Sequence, residues 1–187
     1  MRYLPFHFNR STMRYLLPFC CLLLFGACSP RLTPFTEALY DDFGWSEDDL
    51  QKIQFYVSRD IELKRQLSAG SSQIVSGKIR IENGREVEVV TIQRGTPGVF
   101  VFSPKSDRFA VSFEADDQFL IFGPNPRSGG RFTLRAADWT RNSGVVTYGN
   151  QKYRVSSDAA YAALLIDLKK VTRTQRQARV ARGRKVN

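Results

Sequence analysis

Val75-Ser76-Gly77-Lys78-Ile79-Arg80-Ile81-Glu82-Asn83-Gly84-Arg85-Glu86-Val87-Glu88-Val89-Val90-Thr91-Ile92 is the stretch that decides the fold. Ile79 and Ile81 precede an Asn-Gly pair and Val87 and Val89 follow it, each pair at the two-residue period of a strand. Asn83-Gly84 supplies two residues that tolerate the left-handed backbone of a tight hairpin. A plain two-residue turn would set Ile81 opposite Glu86 and Ile79 opposite Glu88, mixing apolar and charged side chains on one face. Pairing Ile81 with Val87 and Ile79 with Val89 keeps the faces clean, because a slip of one residue moves every side chain across the sheet. The pattern therefore predicts an odd loop, Asn83-Gly84-Arg85, or a bulge beside it.

Working outward, the β pattern continues in both directions. Downstream, Pro97-Gly98 reads as a type II turn. Residues 99–103 and 109–113 read as strands, and 119–122 as a short run buried on both faces. Residues 123–130 read as an eight-residue loop, after which β resumes at 131–135. Residues 145–148 and 151–155 flank Gly149-Asn150 as a second hairpin, and there a two-residue turn aligns Val146 and Tyr148 with Tyr153. Upstream, Phe55, Val57, Ile61 and Leu63 keep even spacing, interrupted by Arg59. Ser46 with Asp49 is a capping-box signal for a short helix over about 47–53. Ser157 opens a final helix with the stripe Tyr161, Leu164, Leu165, Leu168 and Val171. The expected fold is mainly β: a compact antiparallel barrel or sandwich of about eight short strands, with a short N-terminal helix and one C-terminal helix.

Residues 13–28 carry a different message. Met13-Arg14 opens the segment, 16–24 are an apolar run broken by Pro18, and Phe25-Gly26-Ala27 lead to Cys28. The run is about half the roughly 20 residues needed to cross a bilayer. Basic start, short apolar core, small residues and cysteine together resemble the signal peptide and lipobox of bacterial lipoproteins, with Phe25 standing where leucine is usual. The resemblance implies removal of 1–27, lipid on Cys28, and anchoring in a membrane. Ser29 resembles signals that permit sorting to the outer membrane, which implies its periplasm-facing leaflet. Met13 rather than Met1 is the expected start, although 1–6 echo 13–19. The expected division is 1–27 signal peptide, 28–45 lipidated tether, 46–172 one β-rich domain, and 173–187 basic tail.

Removing 1–27 also narrows the chemistry. His7, the single histidine, goes, and so do Cys20 and Cys21. The mature chain then has no histidine base and no free thiol. It lacks the usual zinc and haem ligands, so no cofactor and no metal are expected. Charge is unevenly placed: 169–187 hold eight basic residues and no acid, whereas 28–168 hold 17 basic and all 18 acidic residues. The sequence describes a near-neutral domain with a basic tail.

Four candidate sites follow. Lys169, Lys170, Arg173, Arg176, Arg179, Arg182, Arg184 and Lys185 suit anionic lipid or another polyanion; nucleic acid is not expected outside the cytoplasm. The loop 123–130 is glycine-rich, but a strand rather than a helix follows it. Glu114, Asp116 and Asp117 sit at a strand end as paired glycosidase acids do. Phe100, Phe102, Phe109, Phe113, Phe119 and Phe122 suit core positions, and Trp45 and Trp139 suit either a ligand groove or a cap on the core. The expected function is a lipid-anchored envelope binding or scaffold protein without enzymatic activity, its partner an envelope protein or anionic lipid. The alternatives are a carboxylate-dependent glycosidase and a lipid or lipopolysaccharide carrier.

Overall fold

The computed structural model describes residues 31–67, 77–114 and 118–178. Its elements are β1 (Thr33–Pro34), α1 (Glu37–Phe43), α2 (Glu47–Leu50), β2 (Gln54–Val57), β3 (Ile61–Gln66), β4 (Lys78–Glu82), β5 (Arg85–Ile92), β6 (Pro97–Lys105), β7 (Arg108–Ser112), β8 (Phe119–Asn125), β9 (Arg131–Leu134), β10 (Ser143–Tyr148), β11 (Gln151–Ser156), β12 (Leu164–Ile166) and α3 (Leu168–Ala178). Short 3-10 helices occupy Pro126–Ser128 and Ser157–Tyr161. The strands form two antiparallel sheets, a large one ordered β1-β12-β2-β6-β7-β8-β9 and a small one ordered β10-β11-β3-β5-β4. The fold is mainly β and arranged as a sandwich. Isolated bridges Thr36–Arg131 and Thr133–Ala163 link the margins of the large sheet without closing it into a barrel.

One ribbon runs through both sheets. β2 pairs with β6 in the large sheet, Gln54 opposite Val99 and Tyr56 opposite Pro97. β3 pairs with β5 in the small sheet, Ile61 opposite Ile92 and Gln66 opposite Val87. The register is the same on both sides, so no residue is gained or lost where the ribbon bends. At the bend the Gly95 amide donates to the Val57 carbonyl at 2.8 Å, and the Arg94 amide to Asp60 Oδ1 at 2.7 Å. Gly95 turns there with φ +81°, a backbone state that favours glycine. Phe55, Val57, Ile61 and Leu63 consequently all enter one core and are fully buried. Their even spacing is a strand signal, as read, but it spans two strands in two sheets.

The first hairpin corrects the sequence reading. Ile81 lies opposite Glu86, Ile79 opposite Glu88 and Glu82 opposite Arg85. Asn83 and Gly84 close a plain two-residue turn, both with positive φ. Clean faces were not required, because β4 is an edge strand with Ile81 77% exposed, whereas β5 is buried on both faces from Val87 to Val90. The second hairpin matches expectation, with Val146 opposite Tyr153 and Tyr148 opposite Gln151.

Three further expectations change. Pro97-Gly98 opens β6 instead of turning. Gly98 serves close packing, since a Cβ there would stand 2.7 Å from the Phe113 ring. The loop 123–130 shrinks because β8 runs on to Asn125, pairing Gly123 with Thr133 and Pro124 with Phe132. The final helix divides into a 3-10 turn, β12, and α3 from Leu168. β12 fills the slot between β1 and β2, so tertiary pairing overrides the helical spacing of a short apolar run.

The segment expected as a tether is, from Thr33, part of the domain. Phe35 is fully buried, with ring centroids 4.9 Å from Phe132, 5.3 Å from Phe55 and 5.6 Å from Trp45. Thr36 caps α1, and Gly44 ends it in the left-handed region. The Ser46–Asp49 capping box forms as read, on the shorter helix α2. Pro34 lies in a strand, and its partner Leu165 lies far down the chain, beyond any local pattern.

Candidate functional site

The outer face of the small sheet is charged. Alternation that buries Leu63 and Val155 turns Lys64 and Arg154 outward beside them, opposite one another across β3 and β11. Lys64 Nζ stands 2.7 Å from Glu82 Oε1 and 3.9 Å from Glu62 Oε2. Arg80 stands 3.3 Å from Glu62. The hydrogen bond to Glu82 holds the Lys64 ammonium above the ordinary lysine range. Lys152 and Arg154 are exposed and make no ion pair among the described residues.

A groove of about 580 Å³ opens on this face, lined in part by Lys64, Gln66, Lys152, Arg154, Ser143 and Ser156. Its origin is the pairing of β3 with β11, which is confined to Leu63–Val155 and Lys64–Arg154. Beyond those two pairs the ladder stops, and side chains take over beneath the gap. Arg65 Nε and Nη2 donate to Glu88 Oε2 at 2.9 and 2.6 Å. Arg65 Nη1 reaches Gln151 Oε1 at 3.1 Å, and its guanidinium lies 5.7 Å from the Tyr153 ring centroid. The Gly77 amide donates to Glu88 Oε1 at 3.2 Å. Glu88 is fully buried, so Arg65 supplies the countercharge that a buried carboxylate requires. Burial, and then the Glu88 charge, push the Tyr153 phenol above its ordinary range.

The sequence-derived candidates are scattered. Cys28, Asp116, Asp117, Arg179, Arg182, Arg184 and Lys185 lie outside the described residues. Lys169, Lys170 and Arg173 are exposed in the first turns of α3, and Arg176 also falls within this helix, which runs on past Thr172, where the basic tail was expected to begin, to Ala178. Glu114 is exposed, yet its Oε2 accepts a 2.8 Å hydrogen bond from the buried Tyr148 hydroxyl. Burial, aided by that bond, raises the Tyr148 phenol far above the tyrosine range.

Aromatic placement is mixed. Phe100, Phe109 and Phe122 are core, whereas Phe102 is 38% exposed and Phe113 and Phe119 are half-buried. Trp45 is buried, stacked 4.7 Å from Phe43 and 5.6 Å from Phe35, so it caps the core. Trp139 covers Gly144, where a Cβ would stand 2.6 Å from its ring. The groove itself was missed in the sequence. Its only local trace is the alternation of charge with valine, leucine and tyrosine along β3 and β11.

Among the described residues no group of three or more candidate ligands could hold a metal ion. No helix there is long and apolar enough to cross a membrane. The groove offers charge recognition: two cations without an ion pair among the described residues, above a floor whose own charges are matched. No protein-family model, curated protein or solved structure matches this chain.

Proposed function

We propose that the protein is a lipid-anchored, non-enzymatic binding component of the bacterial envelope, held through Cys28, with the small-sheet groove as its recognition surface. The observation that supports this reading is the pair Lys152 and Arg154, exposed and without ion pairs among the described residues, at a gap in an otherwise hydrogen-bonded sheet. Cations fixed on strands recognise an acidic partner at little entropic cost, because the scaffold beneath them is already ordered. The partner that suits them is an envelope protein presenting carboxylates.

The test uses acylated protein in envelopes, wild type beside a Lys152→Glu/Arg154→Glu double variant and a Cys28→Ser variant. Hydrogen bonds to charged groups contribute about 1.5–3 kcal/mol each. The double variant is therefore expected to lose partner capture at least tenfold while keeping its acyl mass and membrane fractionation. Cys28→Ser is expected to become soluble and unmodified. Undiminished capture by the double variant rules out the groove; membrane retention of Cys28→Ser rules out the anchor.

A further inference from the structure

The large sheet turns outward a surface unlike that of the small one. Residues directly opposite in neighbouring strands share a face, so Pro34, Leu165, Tyr56 and Pro97 make one outward row across β1, β12, β2 and β6. Val99 and Phe119 make the next, on either side of the buried Ser112, across β6, β7 and β8. A bulge in β6 then sets Val101 and Phe102 against the single partner Ala110. Both bulge residues point to solvent, as does Val99: Val101 and Phe102 are 42 and 38% exposed and Val99 50%. The Phe102 ring meets Phe119 edge-on at 5.1 Å. None of these outward residues carries a charge. Cations stand at the margin instead, Lys105 and Arg108 at the β6–β7 turn, where Asp107 pairs with Arg108 at 3.3 Å.

An exposed apolar patch with a charged rim marks an interaction surface, and bulges recur where a sheet re-aims side chains for function. The occupant follows from the chain. β1 is the edge strand of this same sheet, and its Thr33 comes five residues after Cys28. Fully extended, that interval spans about 17 Å, so a lipid on Cys28 keeps the apolar face within reach of the bilayer.

We propose that the outer face of the large sheet lies against the bilayer holding the Cys28 lipid, with Val99, Val101, Phe102 and Tyr56 at the headgroup–acyl boundary and Lys105 and Arg108 toward lipid phosphates. This deepens the lipid-anchor reading and rests on it. Aromatic and aliphatic side chains favour that boundary, and cations favour an anionic surface. The groove, on the sheet across the core, then faces the aqueous compartment.

In the acylated protein Cys28 is blocked and Cys20 and Cys21 are removed, so an introduced cysteine takes a thiol dye alone. Val101→Cys and Val99→Cys report on the large sheet, and Thr147→Cys, exposed on β10 of the small sheet, serves as the control. Each is labelled with a polarity-sensitive fluorophore in phosphatidylethanolamine–phosphatidylglycerol vesicles containing nitroxide-bearing lipid. Expected are a blue shift and at least twofold quenching at 99 and 101, with neither at 147. Absence of quenching in protein that keeps its acyl mass and stays with vesicles overturns the orientation and leaves the anchor standing. A blue shift without quenching assigns the face to a protein partner or second copy and overturns it as well. Unacylated, vesicle-free wild type removes the anchor, and the proposal with it.

Discussion

At Glu88 the chain places a carboxylate where solvent does not reach, and its stability contribution depends on what meets it there. Arg65 meets it with two nitrogens on one oxygen, and Gly77 with an amide on the other. Removing one member of a buried ion pair leaves the other charged and unmatched, at a cost of about 3–5 kcal/mol. Glu88→Gln is therefore expected to lower the urea midpoint by that equivalent without changing the slope. Tyr148 and Tyr153 set the alkaline limit of the fold. Both phenols are raised above the ordinary value of 10.0, chiefly by burial. Above that pH the unfolded chain releases phenolic protons that the folded chain keeps. Stability is accordingly whole below pH 10 and falls as pH climbs beyond it. Urea midpoints at pH 8, 10 and 11 should decline in that order, and Tyr148→Phe should flatten the decline.

Elements differ in how far their own residues announce them. The Gly149-Asn150 hairpin and the Ser46 capping box are local devices, complete within a few residues, and both were legible. The Asn83-Gly84 turn was legible in place but not in register, because register depended on β4 being an edge, a fact of topology. β1 and β12 were illegible for the same kind of reason. Each is two or three residues long and exists through partners distant in sequence, Thr33 opposite Ile166 and Ile166 opposite Phe55. The segment before Ser46 gives this a measurable form. Phe35 is a core residue in contact with five other rings. Phe35→Ala is expected to cost about 3–5 kcal/mol, read from chemical denaturation, where a tether residue would cost nothing.

At the scale of the molecule, alternation located the β class and charge counts located the charge division, but neither located the two faces. The large sheet's apolar face was hidden because Phe102 and Phe119 look like core phenylalanines until a bulge and a register turn them out. The groove was hidden because it arises where β3 and β11 stop pairing, and no residue encodes the absence of a partner. The ribbon of β2–β3 with β5–β6 has a mechanical meaning. Two stacked sheets held by side chains alone can slide over one another, whereas here both are cut from one hydrogen-bonded strip in unbroken register. Sliding would have to shear that strip on both sides of its bend. A pull at Thr33 travels through β12 into β2, and so into the strip itself. That path is the line along which the proposed Cys28 anchor would load the domain.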